Sequence, residues 1–371
     1  MWSWSRINCV HNSLYEYFLK YVTYPRVKPD NENSIYVVTG GISHDILEKF
    51  YSNEISKEQM IEEFEDGWMT AFDISELKFD RCDTEKNDNI ATKYYHNLQH
   101  FFKNHTVIDK KIVLEQFITV KIGNEYYQGY IDALTKDDDG NYVIIDWKTS
   151  SIYKGKKAEN ECGQLCMYAM ALHQMGVPYN KIKIAWNFLK YQNIEIQMKN
   201  GNKKVREIER CKIGESLKSN ARMWLKADGY SEEETDNYLN ILSENNSIEV
   251  LPKSVQDKYK CSDCYVYVDL TDDLIKHWKD FIIETTKIIR QKEQDYQKTK
   301  DETIWYESEE QVKKQSYYFA NLCSYSANLH KPYKLYLENL QKEKDNKENL
   351  FGGIGADNSL EEDNLTWLDM I

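Results

Sequence analysis

The spacing of hydrophobic and polar positions in the first third of the chain is typical of helices. Apolar side chains recur there at every third or fourth position, which places them on one face of a helix. Ser43 precedes one such pattern and is predicted to cap its helix. The segments with this spacing are residues 5–22, 39–51, 56–75 and 88–104. We therefore expect a helical N-terminal lobe over residues 1–105.

The pattern then changes to the one that predicts β-strands. Three successive segments are apolar or alternate between apolar and polar residues, and a polar turn at 137–141 separates the last two. A helix is predicted at 158–176, and two further strands at 181–199 with a bend at Gln192. The three successive strands are predicted at 111–122, 126–136 and 142–150.

The remainder of the chain is predicted to be mainly helical. Residues 205–245 have helical spacing, and a long amphipathic helix is expected from Thr271 to about residue 297. The charged, glycine-containing residues 340–371 are expected to form a flexible acidic tail. Helices, then strands, a helix and more strands indicate an α/β fold with a mixed sheet, whose core we place at 106–335.

Composition narrows the class of protein. The net charge of −13 is a weak argument against a polyanionic partner, because a local basic groove can coexist with an acidic surface. No apolar stretch is long enough to span a membrane, and the N-terminus does not have the pattern of a signal peptide. We therefore expect an intracellular, cytoplasmic protein, whose eight cysteines are thiols or metal ligands rather than disulfides.

Four ionisable residues, Glu115, Asp132, Asp146 and Lys148, stand inside the predicted strands. An unpaired buried carboxylate is costly, so these groups are expected to serve one another or a hard divalent cation such as Mg²⁺ or Mn²⁺. Asp146 and Lys148 face the same side of a strand, and a metal, a lysine and a water molecule together form a phosphodiester hydrolysis site. Taken alone, the spacing of Asp146 and Lys148 fits a salt bridge at the end of a strand better than a catalytic site. The functional interpretation therefore depends on the neighbouring motifs.

Five short motifs follow one another along the chain. They are Gly41-Ile-Ser-His44, Glu115, Gly129-Tyr-Ile-Asp132, Asp146-Trp-Lys148-Thr149 and Gln164-Leu-Cys-Met-Tyr168. This order within residues 1–335 resembles the RecB-type nucleases of the PD-(D/E)xK superfamily, although Glu is commoner than Asp at position 146 in the wider superfamily. The resemblance implies a restriction-endonuclease-like core of mixed central sheet flanked by helices, with C-terminal helices, and a metal-dependent DNA nuclease.

The resemblance also implies which residues bind the metal. Asp132 and Asp146 are expected to be the main ligands of one or two Mg²⁺ or Mn²⁺ ions, and the main-chain carbonyl of Trp147 completes the set. His44 is expected to be an additional ligand. Without the family order, a histidine on a helix is more often a structural residue held by hydrogen bonds.

The same resemblance assigns roles around the metal. Lys148 is expected to be the catalytic lysine, and Glu115 to support the ligands or bind a second ion. Gln164 and Tyr168, one turn apart on a helix, are expected to line the site and contact the DNA backbone. Alternatively, Glu115 is a charge at a strand edge, and Gln164 and Tyr168 pack on the sheet.

The function that we predict is an exonuclease acting on single-stranded DNA or DNA ends in phage or repair and recombination metabolism. Alternatives are a nuclease that trims DNA in CRISPR adaptation, and a non-cleaving DNA-binding or assembly subunit with the same fold. The basic loop containing Lys154, Lys156 and Lys157, together with Lys190, is a candidate for binding the DNA backbone; a solvated turn is the alternative for the loop.

Many RecB-type relatives carry a four-iron cluster, for which Cys9 and Cys323 resemble remnants. Ser326 stands where a further cysteine is needed, so we do not expect an iron–sulfur cluster. Cys261 and Cys264 form a Cys-x-x-Cys pair, but a zinc site needs a second pair of ligands and none is apparent. We therefore expect these two cysteines to be ordinary residues at a turn before a strand. A cluster built from these four cysteines is a less favoured alternative.

The C-terminal segment 359–371 combines acids with several large apolar residues. It is either a disordered solubilising tail or a short segment that binds a protein partner, such as a replication or recombination protein.

Overall fold

The computed structural model describes residues 1–29, 35–74, 84–325 and 329–351. Its helices are α1 (Trp4–Asn12), α2 (Leu14–Tyr17), α3 (Ile35–Tyr51), α4 (Lys57–Ile74), α5 (Thr84–Asn104), α6 (Lys156–Glu161), α7 (Gly163–Gln174), α8 (Ile213–Ala227), α9 (Glu232–Asn245), α10 (Lys253–Gln256), α11 (Asp272–Thr299), α12 (Glu309–Lys314) and α13 (Lys331–Phe351). Its strands are β1 (Trp2–Ser3), β2 (Val113–Ile122), β3 (Glu125–Lys136), β4 (Tyr142–Lys148), β5 (Ile182–Gln197), β6 (Lys203–Glu209) and β7 (Tyr259–Val268).

These strands form one mixed sheet, as the sequence predicts. β2, β3 and β4 pair in antiparallel fashion through short turns. β4 and β5 are parallel, which requires a crossover connection, and α6 and α7 supply it. β6 and β7 both pair with β5 in antiparallel fashion, and β1 pairs with β3 in parallel fashion. The predicted α/β architecture, with helices flanking a mixed sheet, is confirmed.

The two faces of the sheet are covered by different helices, which explains why β4 is apolar on both sides. Ile144 packs into a main cluster with residues of α1, α7 and α11. Val143 and Ile145 point the other way, into a lobe cluster with residues of α3, α4 and α5. Because successive side chains of a strand alternate between faces, a strand buried on both faces reads as a continuous apolar run.

The N-terminal segment does not belong to the helical lobe, so the predicted lobe boundaries of 1–105 are wrong at their start. Ile7 and Phe18 are buried in the main cluster, and β1 is part of the sheet. The lobe cluster instead draws its helical residues from α3 to α5. Periodicity predicts that the first segment is helical, but it does not show which core that helix covers.

Three further predictions about local structure are wrong. Ser43 lies inside α3, where its hydroxyl donates a hydrogen bond to the carbonyl of Thr39 (2.7 Å), and it is not an N-cap. β5 is one strand rather than two, and its pairing with β7 shifts in register between Asn187 and Gln192. Residues 203–209 form β6, although 205–245 is predicted as helix.

The predicted flexible tail begins too early, because α13 continues to Phe351. The partner-binding segment 359–371 lies outside the described residues and remains a prediction. In the described part of the chain, every helix is too short or too polar to cross a membrane.

Candidate active site

The hairpin of β3 and β4 brings two carboxylates together at the centre of the sheet. Ala133 of β3 pairs with Ile145 of β4. Because the strands are antiparallel, the adjacent residues Asp132 and Asp146 also stand opposite each other. The main-chain N–H of Trp147 donates a hydrogen bond to Oδ2 of Asp132 (3.0 Å). Asp146 is buried, and its Oδ2 faces the Nζ of Lys148.

Asp132 is strongly perturbed by this arrangement. Burial raises the pKa of Asp132 to about 7, and the neighbouring carboxylate of Asp146 adds to the effect. His44, Lys148 and the N–H of Trp147 lower the pKa of Asp132, but they do not cancel the rise. The Asp132 carboxylate, which lies next to the buried Asp146, therefore lacks sufficient positive charge around it, and a bound cation would supply that charge.

Lys148 leaves β4 on the same side as Asp146. Its Nζ lies 2.7 Å from Oδ2 of Asp146 as a close ion pair, and its side chain remains 30% exposed. Burial alone would lower the pKa of Lys148, but Asp146 and Asp132 outweigh burial and raise it. The lysine is therefore a charged ammonium at neutral pH, placed between the carboxylates and solvent.

His44 reaches the same point from α3. Its Nε2 lies 3.0 Å from the carbonyl oxygen of Trp147, and its Nδ1 lies 3.7 Å from Oδ2 of Asp132. The imidazole thus contacts two of the oxygen atoms that are predicted to bind metal. The structure brings this predicted residue to the site.

The side chain of Trp147 anchors the helical lobe to the catalytic strand. It is buried in the lobe cluster, where the ring of Tyr51 stacks on it with centroids 6.2 Å apart. The hydroxyl of Tyr51 is hydrogen bonded to Nε2 of His105 (2.7 Å), and Nδ1 of His105 lies 2.6 Å from Asp263. Because α3 carries both His44 and Tyr51, this packing fixes the helix relative to the Trp147 carbonyl.

Glu115 lies beside the site on an irregular part of β2. The pairs on either side of it join Leu114 with Ala133 and Gln116 with Ile131, so Glu115 stands across from Asp132. Its backbone has φ = 43°, which is uncommon for a residue other than glycine and often marks a functional position.

Glu48 is a candidate site residue that the sequence reasoning missed. Burial raises the pKa of Glu115, and the charge of Glu48 and a hydrogen bond with Glu48 raise it further. Glu48 lies one helical turn after His44 on α3, and this i, i+4 spacing is the signal that could have identified it.

Gln164 and Tyr168 lie on α7, under the other side of the strands. Nε2 of Gln164 donates a hydrogen bond to the Tyr168 hydroxyl (2.8 Å), and burial raises the pKa of Tyr168 to about 12. A Cβ atom at Gly129 would lie 2.7 Å from Cε1 of Tyr168, so only glycine allows β3 to approach this ring. Tyr168 is also part of the main cluster, and so its position fits both the site and the packing interpretations.

The predicted DNA-binding lysines do not form one surface. Lys154, Lys156 and Lys157 are exposed around the start of α6, and Lys154 is paired with Glu207 at 3.1 Å. Lys190 is only 5% exposed, with its Nζ 3.8 Å from the ring centroid of Tyr94. The buried position of Lys190 does not offer an ammonium to a DNA strand.

Replacing Lys190 by methionine is expected to raise the free energy of unfolding by about 3 kcal/mol at pH 7. Burial lowers the pKa of Lys190 to about 8, so the folded protein carries the cost of this buried charge at neutral pH. As the pH rises from about 8 towards the ordinary lysine pKa, the wild-type lysine loses its proton in the folded state and the cost disappears. Urea unfolding of both proteins at pH 7 and pH 10 tests this, and an equal difference at both pH values would contradict it.

The described cysteines are free thiols, and they do not form a metal site. Cys9 and Cys323 are buried in the main cluster, and the Cys323 thiol contacts Oε2 of Glu16 (3.4 Å). Cys261 and Cys264 lie within β7, so their predicted position at a turn is wrong. No three of these four cysteines come together among the described residues, and Ser326 lies outside them.

The chemistry of the site fits a hard divalent cation. The two carboxylates, the Trp147 carbonyl and the imidazole of His44 supply mainly oxygen donors, which Mg²⁺ and Mn²⁺ prefer. The described side chains alone do not form a preformed cage of three His, Cys, Asp or Glu residues. The predicted ligand set therefore also needs the main-chain carbonyl of Trp147, which His44 contacts.

The comparisons with known proteins agree with this geometry. The family model described as the PD-(D/E)XK nuclease superfamily matches residues 1–267, which include each of the five motifs. None of the curated proteins that were compared matches the chain. The matched region covers the sheet from β1 through most of β7. On its sequence and on the geometry of Asp132, Asp146 and Lys148, the chain belongs to the PD-(D/E)XK nuclease superfamily.

Proposed function

We propose that the protein is a metal-dependent DNA exonuclease that acts on single strands or on DNA ends. The observation that carries this proposal is the convergence of Asp132, Asp146 and Lys148 on the neighbouring strands β3 and β4, with the Lys148 ammonium 2.7 Å from Asp146. Membership of the nuclease superfamily supports phosphodiester hydrolysis, and the oxygen-rich donor set supports Mg²⁺ or Mn²⁺.

Each residue of the site has a distinct role in this proposal. A divalent cation held by Asp132, Asp146 and the Trp147 carbonyl would polarise the phosphate and acidify a water molecule. Lys148 orients the attacking water and stabilises negative charge that develops on the phosphate oxygens. His44 holds the Trp147 carbonyl in place or joins the ligands, since its Nε2 lies 3.0 Å from that oxygen.

We favour a single strand as the substrate. α3 approaches the carboxylates from one face of the sheet through His44, and α7 approaches the strands from the other face through Tyr168. An unpaired strand is thinner than a duplex, so it needs less room to bring one phosphate to these carboxylates. A role in phage or in repair and recombination metabolism, or in DNA trimming of the CRISPR-adaptation kind, is compatible with this substrate.

A cleavage assay tests the proposal. End-labelled single- and double-stranded DNA and RNA, each linear and circular, are incubated with Mg²⁺, with Mn²⁺ or with a chelator. We expect linear single-stranded DNA to be shortened from an end, circular DNA to resist, and the chelator to stop the reaction. Cleavage of circles would indicate an endonuclease, and cleavage of RNA alone would overturn the DNA assignment.

A non-cleaving DNA-binding subunit is the alternative from a different class. The presence of all three residues Asp132, Asp146 and Lys148 disfavours it. Isothermal titration of the protein with Mn²⁺ separates the two functions. A nuclease is expected to bind the ion and to lose this binding on the Asp146→Asn substitution, whereas an assembly subunit does not need the ion.

A further inference from the structure

Two large aromatic side chains are exposed as a pair on the ribbon formed by β2 and β3. Phe117 is 44% exposed and Tyr130 is 53% exposed. They are cross-strand partners, and their ring centroids are 5.2 Å apart with the planes tilted by 54°. An exposed aromatic cluster is more informative than a single exposed apolar residue, because the fold gains little from placing it in water.

The core of the protein does not require this pair. The neighbouring residues Ile118 and Val120 on β2 are buried in the main cluster, against α7 and α11. Phe117 points to the opposite face of the ribbon, because successive side chains of a strand alternate. The lobe contacts the same two strands three residues further along, at Leu114 and Ala133, but it leaves Phe117 and Tyr130 exposed.

The aromatic pair is continuous with the candidate active site on both strands. Phe117 follows Glu115 by two residues, and Tyr130 precedes Asp132 by two residues. Two residues of a strand span about 6.6 Å, so the rings lie next to the candidate site rather than on a distant surface. A DNA strand with its phosphate at Asp132 and Asp146 would therefore extend past these rings in one direction.

We propose that Phe117 and Tyr130 form a stacking platform for one or two unpaired nucleobases next to the scissile phosphate. The ligand is unpaired because the faces of bases inside a duplex are already occupied by their neighbours. Stacking on aromatic side chains tolerates any base, so the platform contributes affinity and strand type rather than sequence specificity. This inference rests on the proposed function, since it places the substrate strand at that same site.

Binding measurements test the platform without depending on cleavage. Fluorescence anisotropy is measured with a labelled single-stranded oligonucleotide and the Asp146→Asn protein, with and without the additional substitutions Phe117→Ala and Tyr130→Ala. We expect the double substitution to weaken binding at least about 10-fold, and Tyr130→Phe to leave binding unchanged because it keeps the ring. Tyr267→Ala is the matched control, because Tyr267 is 55% exposed on the distant strand β7.

Abasic substrates show whether the rings contact bases directly. Single abasic nucleotides are moved along the oligonucleotide, and one or two positions are expected to bind as weakly as the intact strand binds to the Phe117→Ala/Tyr130→Ala protein. When such an abasic strand is combined with the Phe117→Ala/Tyr130→Ala protein, we expect no further loss of affinity. The proposal would be overturned if the losses of affinity from the abasic position and from the double substitution multiplied independently. It would also be overturned if the substitution changed the oligomeric state, because this face would then contact a second copy of the chain.

The outcome is distinguishable from failure of the proposed function. If the wild-type protein cleaves no DNA but the abasic coupling is observed, the nuclease proposal fails and the binding platform stands. If the wild-type protein cleaves DNA and the double substitution leaves both KM and abasic sensitivity unchanged, the platform fails and the nuclease proposal stands. A raised KM with an unchanged kcat in the cleaving protein supports both.

Discussion

Replacing Lys148 by alanine is expected to lower the rate of DNA cleavage by about 10³-fold or more while the fold is retained. Lys148 supplies the positive charge next to Asp146 that the phosphate would meet, and its side chain is partly exposed rather than part of the packed core. Single-turnover cleavage of an end-labelled single strand measures the loss. Circular dichroism and urea unfolding measure whether the fold is intact.

The Asp132→Ala substitution is expected to abolish cleavage for a different reason. It removes one of two adjacent carboxylates, and therefore a proposed metal ligand. Because the pKa of Asp132 is raised to about 7 by burial and by Asp146, the metal-free protein should lose little or no stability on this substitution. The expected combination of lost activity and unchanged stability is typical of residues that are placed for function.

Lys183→Ala is the matched control for both substitutions. Lys183 also lies on a central strand and forms an ion pair with Asp137 (2.6 Å), but it is on the surface, where a pair contributes about 0–1 kcal/mol. Its removal should leave the rate of cleavage unchanged. Full activity in both Lys148→Ala and Asp132→Ala would overturn the site assignment.

The central strands could be predicted because local pattern and tertiary role agree there. The run before Asp146 is buried on both faces, and its polar end lies at the site. β6 could not be recognised, because it is a largely exposed strand whose charged residues also fit a helix. In such a strand, pairing with β5 decides the conformation, and a partner distant in sequence leaves little local signal.

The surroundings of Glu48 and Lys190 also could not be predicted from local pattern. Glu48 is a candidate because it interacts with Glu115, and this contact depends on how α3 docks on the sheet. The sequence predicts that Lys190 is a basic residue of a DNA-binding groove. In the structure, the lobe helix that carries Tyr94 covers this lysine. Both effects arise from contacts between elements far apart in the sequence, and one sequence without its fold does not contain them.

A buried ion pair links the helical lobe to the sheet. Asp263 on β7 accepts a hydrogen bond from Arg210 at Oδ1 (2.6 Å), and its Oδ2 lies 2.6 Å from His105. All three side chains are inaccessible to solvent. Through His105 this network reaches the Tyr51 ring that stacks on Trp147.

The Arg210→Met substitution is expected to lower the free energy of unfolding by about 3–5 kcal/mol. It leaves the Asp263 carboxylate buried without its strongest partner, and an uncompensated buried charge is the costly outcome. Burial alone would raise the pKa of Asp263, but His105 and Arg210 outweigh burial and lower it in the wild-type protein. Without the guanidinium, burial is expected to dominate.

Urea unfolding at neutral and acidic pH tests the physical cause. In the wild-type protein, the lowered pKa of Asp263 contributes stability at neutral pH that is lost only as the pH falls below the ordinary aspartate pKa. In the variant, a raised pKa lets the carboxyl take up a proton sooner. The deficit of the variant should therefore be largest at pH 7 and become smaller towards pH 4.

Two further proteins separate this effect from the loss of packing. Arg222→Met removes a 43% exposed arginine that is paired with Asp236 (2.6 Å), and it should cost less than about 1 kcal/mol. The double substitution Arg210→Met/Asp263→Leu removes both charges and should recover part of the lost stability, because neither group is then left unpaired. If Arg210→Met costs no more than Arg222→Met, the buried pair does not hold the lobe against the sheet.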